Sequence, residues 1–115
     1  MDDDPHFCEL ARNLLAFHGL RVTEVHSIAE GLTYVKTHGR DLAAVVVDLV
    51  LPDGDGLQAI RVFKAALPAR KVIAISGMDA ADLYRLTTAH PSADGVLSKS
   101  HVERLPALLN GLLES

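Results

Sequence analysis

With 115 residues, 49% of them hydrophobic and 4% aromatic, the chain has the size and apolar mass of one domain with a substantial core, which excludes a disordered tail. A net charge of −4, with Lys and Arg scattered along the chain, leaves no electrostatic footprint for DNA, RNA or an anionic membrane, so no direct nucleic-acid or membrane partner is expected. A single Cys excludes an internal disulfide framework, and no apolar run has the length of a membrane span or follows a basic N-terminus as in a signal peptide, which points to a cytoplasmic protein.

In chain order, Asp4 followed by Pro5 reads as an N-cap with proline at the first helical position, and a helix is expected to about His18. Phe7, Leu10, Leu14 and Phe17 recur at helical spacing as its core-facing stripe, and Gly19 stands just past its end. Cys8 lies in this helix with nothing basic beside it to lower its pKa, so it is read as a structural thiol. Arg21 to Val25 is expected to be a short strand. Ser27-Ile28-Ala29-Glu30 is a capping box that starts a second helix at Ile28, with Gly39 ending it after about His38. Leu42 to Asp48 is apolar and β-branched, as in a strand buried on both faces, and it ends on one carboxylate before Pro52, Gly54 and Gly56 break the chain.

Leu57, Ile60, Val62, Phe63 and Leu67 support a helix that ends before Pro68. Lys71 to Ser76 is a second buried strand; Asp79 caps a helix to about Ala89; Pro91 to Asp94 is turn-forming, and Gly95 to Lys99 is the final strand. The tail carries a conflict, because Ser100-His101-Val102-Glu103 is a capping box whose helix would contain Pro106. A first turn, a break and a main helix from Pro106 to Glu114 satisfies both signals, with Leu105, Leu108, Leu109, Leu112 and Leu113 expected against the sheet. The six His residues are spread out, without the close spacing of zinc ligands, and are read as surface residues.

Alternating strands and helices predict an α/β fold with a parallel sheet and helices on both faces. Ligands of such sheets bind beyond the carboxyl ends of the strands. That edge collects Asp48, Ser76 and Lys99, and it receives Asp2-Asp3-Asp4 if a further strand precedes them. A carboxylate nucleophile, acidic magnesium ligands, a hydroxyl and a lysine for phosphate oxygens make a coherent phosphoryl-transfer set. An idle carboxylate in so apolar a strand would be expensive. Asp53-Gly54-Asp55-Gly56 looks like a calcium loop, but the twelfth position from Asp48 or Asp53 is Ala59 or Lys64 in place of Glu.

The acidic run before Pro5, Asp48 followed by Leu51-Pro52 and Asp55-Gly56, Ser76-Gly77 after a strand, and Gly95 ahead of Lys99 occur together in an order that resembles the receiver domain of bacterial two-component response regulators. The resemblance covers essentially all of residues 1–115. It implies a flavodoxin-like, doubly wound parallel sheet of order 2-1-3-4-5. It also implies that Asp48 accepts a phosphoryl group from a phosphohistidine of a sensor histidine kinase or phosphotransfer protein. By the same resemblance Asp2, Asp3, Asp48 and the carbonyl of Val50 hold Mg2+, Ser76 supplies the hydroxyl that turns to the phosphate, and Lys99 is the lysine of the motif. Such a domain is a switch and not an enzyme beyond promoting its own phosphotransfer and dephosphorylation. Its output runs through the last two helices and the final strand to an effector domain, a partner protein or a second copy. The alternative is a degenerate, non-phosphorylated receiver acting as a docking or dimerisation module.

Three departures from the family pattern stand out. Receivers open with an apolar strand ahead of the acidic pair, where this chain has only Met1. Roughly five buried side chains are involved, at about 1.5–3 kcal/mol each and on the order of 10 kcal/mol together, comparable to the whole stability of a domain. The expectation is therefore a receiver truncated before or within its first strand, whose missing residues lie upstream of Met1 or whose gap another chain fills. Val96 occupies the place of the family's switch aromatic, and Ser100 follows Lys99 where proline is common. Gly77 beside the hydroxyl is expected to leave the site open to water.

Overall fold

A computed structural model describes residues 5–19, 23, 27–51, 54–77, 79, 81–82, 85 and 93–114. Helix α1 (Pro5–Phe17) begins on its proline. It ends where Gly19 takes a φ of +79°, a left-handed conformation that a side chain would disfavour. Its buried face differs from the expected stripe. Phe7, Cys8 and Leu15 are buried and Ala11 and Leu14 are partly so, whereas Leu10 is 48% and Phe17 87% exposed. The 3.6-residue period was satisfied by two overlapping stripes, and the one running through positions 7, 8, 11 and 15 faces the sheet.

Helix α2 (Ile28–His38) starts as its capping box predicts, with the Ser27 hydroxyl accepting the Glu30 N–H at 3.1 Å. Gly39 does not terminate it by a left-handed turn; at φ −58° it leads into a 3₁₀ turn, Gly39–Asp41. That turn closes with the Leu42 N–H on the Gly39 carbonyl, so the next strand, β1 (Ala44–Asp48), starts two residues later than expected. Two short antiparallel pieces follow, β2 (Val50–Leu51) and β3 (Gly54–Asp55), then α3 (Gly56–Ala66), which ends before Pro68. Strands β4 (Lys71–Ser76) and β5 (Gly95–Ser98) complete a parallel sheet of order β1-β4-β5 among the described residues. These are the last three strands of the predicted five. The strand expected at Arg21 to Val25 lies outside the described residues except for Thr23. Most of the helix from Asp79 to Ala89 does too, although Ala81, Asp82 and Arg85 are helical and Asp79 caps them by accepting the Asp82 N–H at 2.9 Å.

The period of two along each strand divides the core. Val45, Val47, Val72, Ala74 and Val96 pack with Ile60 and Phe63 of α3 and Ile28, Leu32 and Val35 of α2. Ala44, Val46, Ile73, Ile75 and Leu97 pack on the opposite face with α1 and the C-terminal helix α4 (Leu105–Leu113). Helices thus cover both faces of a sheet whose central strand is apolar on both sides, as parallel sheets require. The conflict in the tail resolves into two segments. A 3₁₀ helix, Lys99–Arg104, is kinked at His101 (φ −118°, ψ 33°), and α4 then carries Pro106 in its first turn, where no backbone donor is lost. Ser100 does not cap a helix; its hydroxyl meets that of Ser98 at 2.9 Å. Leu105 and Leu109 are buried, Leu108 and Leu112 flank them, and Leu113 lies at the exposed margin.

One anchor was not anticipated. Asp94, read from the sequence as a turn residue, takes the Lys64 ammonium and the Val72 N–H on its Oδ2, each at 2.8 Å, and its own N–H donates to the Val72 carbonyl. Burial pushes the Asp94 carboxyl up, but the Lys64 and Val72 bonds, together with the charges of Lys64 and Lys71, leave it below the ordinary aspartate range. A lowered folded value means the carboxylate stabilises the fold above its unfolded pKa of about 3.9 and loses that contribution as pH falls through the folded value. Asp94→Asn is expected to cost about 1–2 kcal/mol in urea unfolding at pH 5 and above. The difference from the parent should shrink steadily below about pH 4.

Candidate functional site

β1 and β5 flank β4, and the register sets their carboxyl ends nearly level: Asp48 pairs with Ile75, and Ser76 with Ser98. Lys99 is the first residue beyond β5. By alternation, Asp48 continues the set of Ala44 and Val46, and Lys99 that of Leu97, so both belong to the face covered by α1 and α4. They meet there. The Lys99 Nζ donates to Asp48 Oδ2 at 2.8 Å, with the two side chains 19% and 5% exposed. A carboxylate so buried is tolerable because the ammonium compensates it.

The ring of Phe7, from the first turn of α1, lies against the same ammonium with its centroid 4.9 Å from Nζ. The lysine is thereby held between a carboxylate and an aromatic face. Sequence reasoning assigned Phe7 only to the core, because nothing in helical spacing tells that an aromatic ring will meet a lysine 92 positions later in the sequence. Ser76 is buried at the end of the adjacent strand, one residue beyond the level of Asp48, in the alternate set with Val72 and Ala74. Its hydroxyl would have to reach over the strand end to approach a group on Asp48. Gly77 follows it, and a Cβ built there meets nothing within 4 Å.

The helix after the loop abuts the strand end closely. The Gly56 N–H donates to the Leu49 carbonyl at 3.2 Å, and a Cβ on Gly56 would fall 2.3 Å from the Asp48 carbonyl oxygen and 2.4 Å from the Leu49 Cα. Only glycine lets the first turn of α3 lie against the residue that carries the carboxylate. Asp48 and the Val50 carbonyl, two residues apart in sequence at the end of β1, are hard oxygen donors of the kind magnesium takes. Asp2 and Asp3, the other expected ligands, lie outside the described residues. Val96, in the place of the family's switch aromatic, packs in the α2 and α3 core.

Residues 1–110 match the family described as response regulator receiver domain. The chain is 29% identical over 114 residues to the transcriptional regulatory protein TrcR of Mycobacterium tuberculosis, covering 98% of this chain and 43% of that protein. It is 28% identical over 99 residues to the KDP operon transcriptional regulatory protein KdpE of Escherichia coli, covering 86% of this chain and 42% of that protein. The chain therefore spans less than half the length of these relatives. Among solved structures, a response regulator receiver domain protein from Clostridium thermocellum superposes with a TM-score of 0.85 at 24% identity, over 98% of this chain and 90% of that one. The BeF3-activated receiver domain of DrrB, a Thermotoga maritima protein, superposes with a TM-score of 0.81 at 25% identity, over 99% of this chain and 93% of that one. No helix among the described residues is long and apolar enough to cross a membrane.

The close approach at Gly56 makes a sharp test of this architecture. Gly56→Ala has backbone atoms, and not a flexible side-chain tip, in the way of its new methyl group. It should lower stability by about 1–3 kcal/mol in chemical denaturation, even though alanine is the better helix former.

Proposed function

The chain belongs to the response regulator receiver domains, and on that premise we propose that it is a phosphoacceptor switch that takes a phosphoryl group on Asp48 from the phosphohistidine of a sensor kinase or phosphotransfer protein. The observation that carries this reading is the Asp48–Lys99 pair at the carboxyl edge of the sheet. A carboxylate oxygen of Asp48 attacks phosphorus. The bond from phosphorus to the donor imidazole nitrogen breaks, its electron pair stays on that nitrogen, and the imidazole leaves neutral if its other nitrogen carries the proton. Lys99 is then beside a group with more negative charge than before, and its ammonium offsets charge on the phosphoryl oxygens. Ser76 is the proposed hydroxyl donor to the same oxygens.

Asp48, the Val50 carbonyl, Asp2 and Asp3 are the proposed holders of Mg2+, which when bound neutralises charge on the transferring group. Output to an effector domain, a partner protein or a second copy of the chain, through the α4 and β5 side, is part of the same proposal. Its support is that Lys99 joins β5 directly to the segment leading into α4.

Incubation with magnesium and a small phosphodonor, followed by mass measurement of the intact protein, tests the reading. One added phosphoryl group is expected, absent from Asp48→Asn and absent when a chelator removes the metal. Protein that gains nothing under these conditions is a docking or dimerisation module. Gly77→Ala puts its methyl group into open space, so it should fold like the parent and prolong the acyl phosphate by shielding it from water. An unchanged decay rate would refute the shielding idea.

A further inference from the structure

Among the described residues, the Lys99 ammonium meets two groups of very different character, Asp48 and Phe7. Asp48 Oδ2 neutralises it, while the Phe7 ring, 4.9 Å away, attracts it through the negative face of its π system and carries no net charge. The ring also lies in the packed face between α1 and the sheet, among Ile75, Leu97 and Leu105, so its position is set by the core. Phe7 itself is 9% exposed and Lys99 19%, a partly desolvated setting in which such a contact is stronger than at a surface.

We propose that Phe7 is a positioning residue for phosphotransfer: its ring fixes the Lys99 ammonium at the mouth of the site without consuming its charge. The proposal rests on the phosphoacceptor reading of Asp48. The consequence is clearest after transfer. Once the Asp48 carboxylate has become an acyl phosphate, the hydrogen bond that placed the ammonium has changed its acceptor, while the ring is unaltered and keeps the ammonium where the phosphoryl oxygens arrive. Leucine would fill the same cavity and keep the apolar packing, but it has no quadrupole with which to hold a cation.

The test compares Phe7→Leu and Phe7→Tyr in the parent chain and in Lys99→Met, with intact folding of each checked by circular dichroism. Two quantities are read: the second-order rate constant for labelling by a small phosphodonor, and the ring-current shift of the Lys99 Cε protons by NMR, assigned by their loss in Lys99→Met. Phe7→Leu should abolish the shift and slow labelling about fivefold, the size of a partly buried cation–π contact. It should add no further slowing in Lys99→Met, and Phe7→Tyr should keep both the shift and the parent rate. Should Phe7→Leu fail to fold, Phe7→Met carries the same comparison.

Equal slowing with and without Lys99 would mean that Phe7 acts through packing alone and would overturn the proposal. So would an unchanged rate in Phe7→Leu. Parent protein that takes up no phosphoryl group would overturn the phosphoacceptor reading itself, and that outcome is visible before any Phe7 variant is compared.

Discussion

A carboxylate whose side chain is 5% exposed needs a cation within hydrogen-bond reach, and for Asp48 that cation comes from 51 residues further along the chain. Much of the fold can be read as the means of bringing the two together. Lys99 arrives at Asp48 only if β5 lies two strands from β1 with its carboxyl end at the same edge, which demands parallel pairing through β4 and a crossover helix between successive strands. β4 must then be apolar on both faces. Val72, Ile73, Ala74 and Ile75, all at or near zero exposure, meet that demand by serving the two cores alternately.

Elements whose ends carry their own chemistry were legible in the sequence. The capping box at Ser27 placed α2 to the residue, Pro5 and Gly19 bracketed α1, and Pro68 ended α3. The conflict between Ser100 and Pro106 was also resolved by local physics, because a proline fits only near a helix start. What failed was the choice between surfaces of one amphipathic helix. Leu10 and Phe17 are as apolar as Phe7 and Leu15, and only the position of the sheet decides which pair it covers. Ser100 failed for a related reason, since a neighbouring hydroxyl on Ser98 competes for the same side chain.

At the candidate site, Asp48, Ser76 and Lys99 could be placed on one edge because strand ends in a parallel sheet share a direction. Their separate environments were not legible. Nothing local to Lys99 announces that its ammonium will sit between a carboxylate and Phe7, nor does anything around Asp94 distinguish a turn aspartate from one bonded to Lys64 and Val72. Both arrangements are made by residues distant in sequence whose juxtaposition exists only once the helices are packed on the sheet.

Those two arrangements share a strand. Asp94, just ahead of β5, ties its entry to β4 and α3 by a charged contact and two backbone bonds; Lys99, just after it, ties its exit to Asp48. β5 is therefore moored at both ends, at its entry through Asp94 and at its exit through Lys99 and Asp48. The residue that joins the exit of β5 to Asp48 is also the first of the 3₁₀ segment that leads into α4, whereas the contacts of Asp94 lie at the opposite end of the strand.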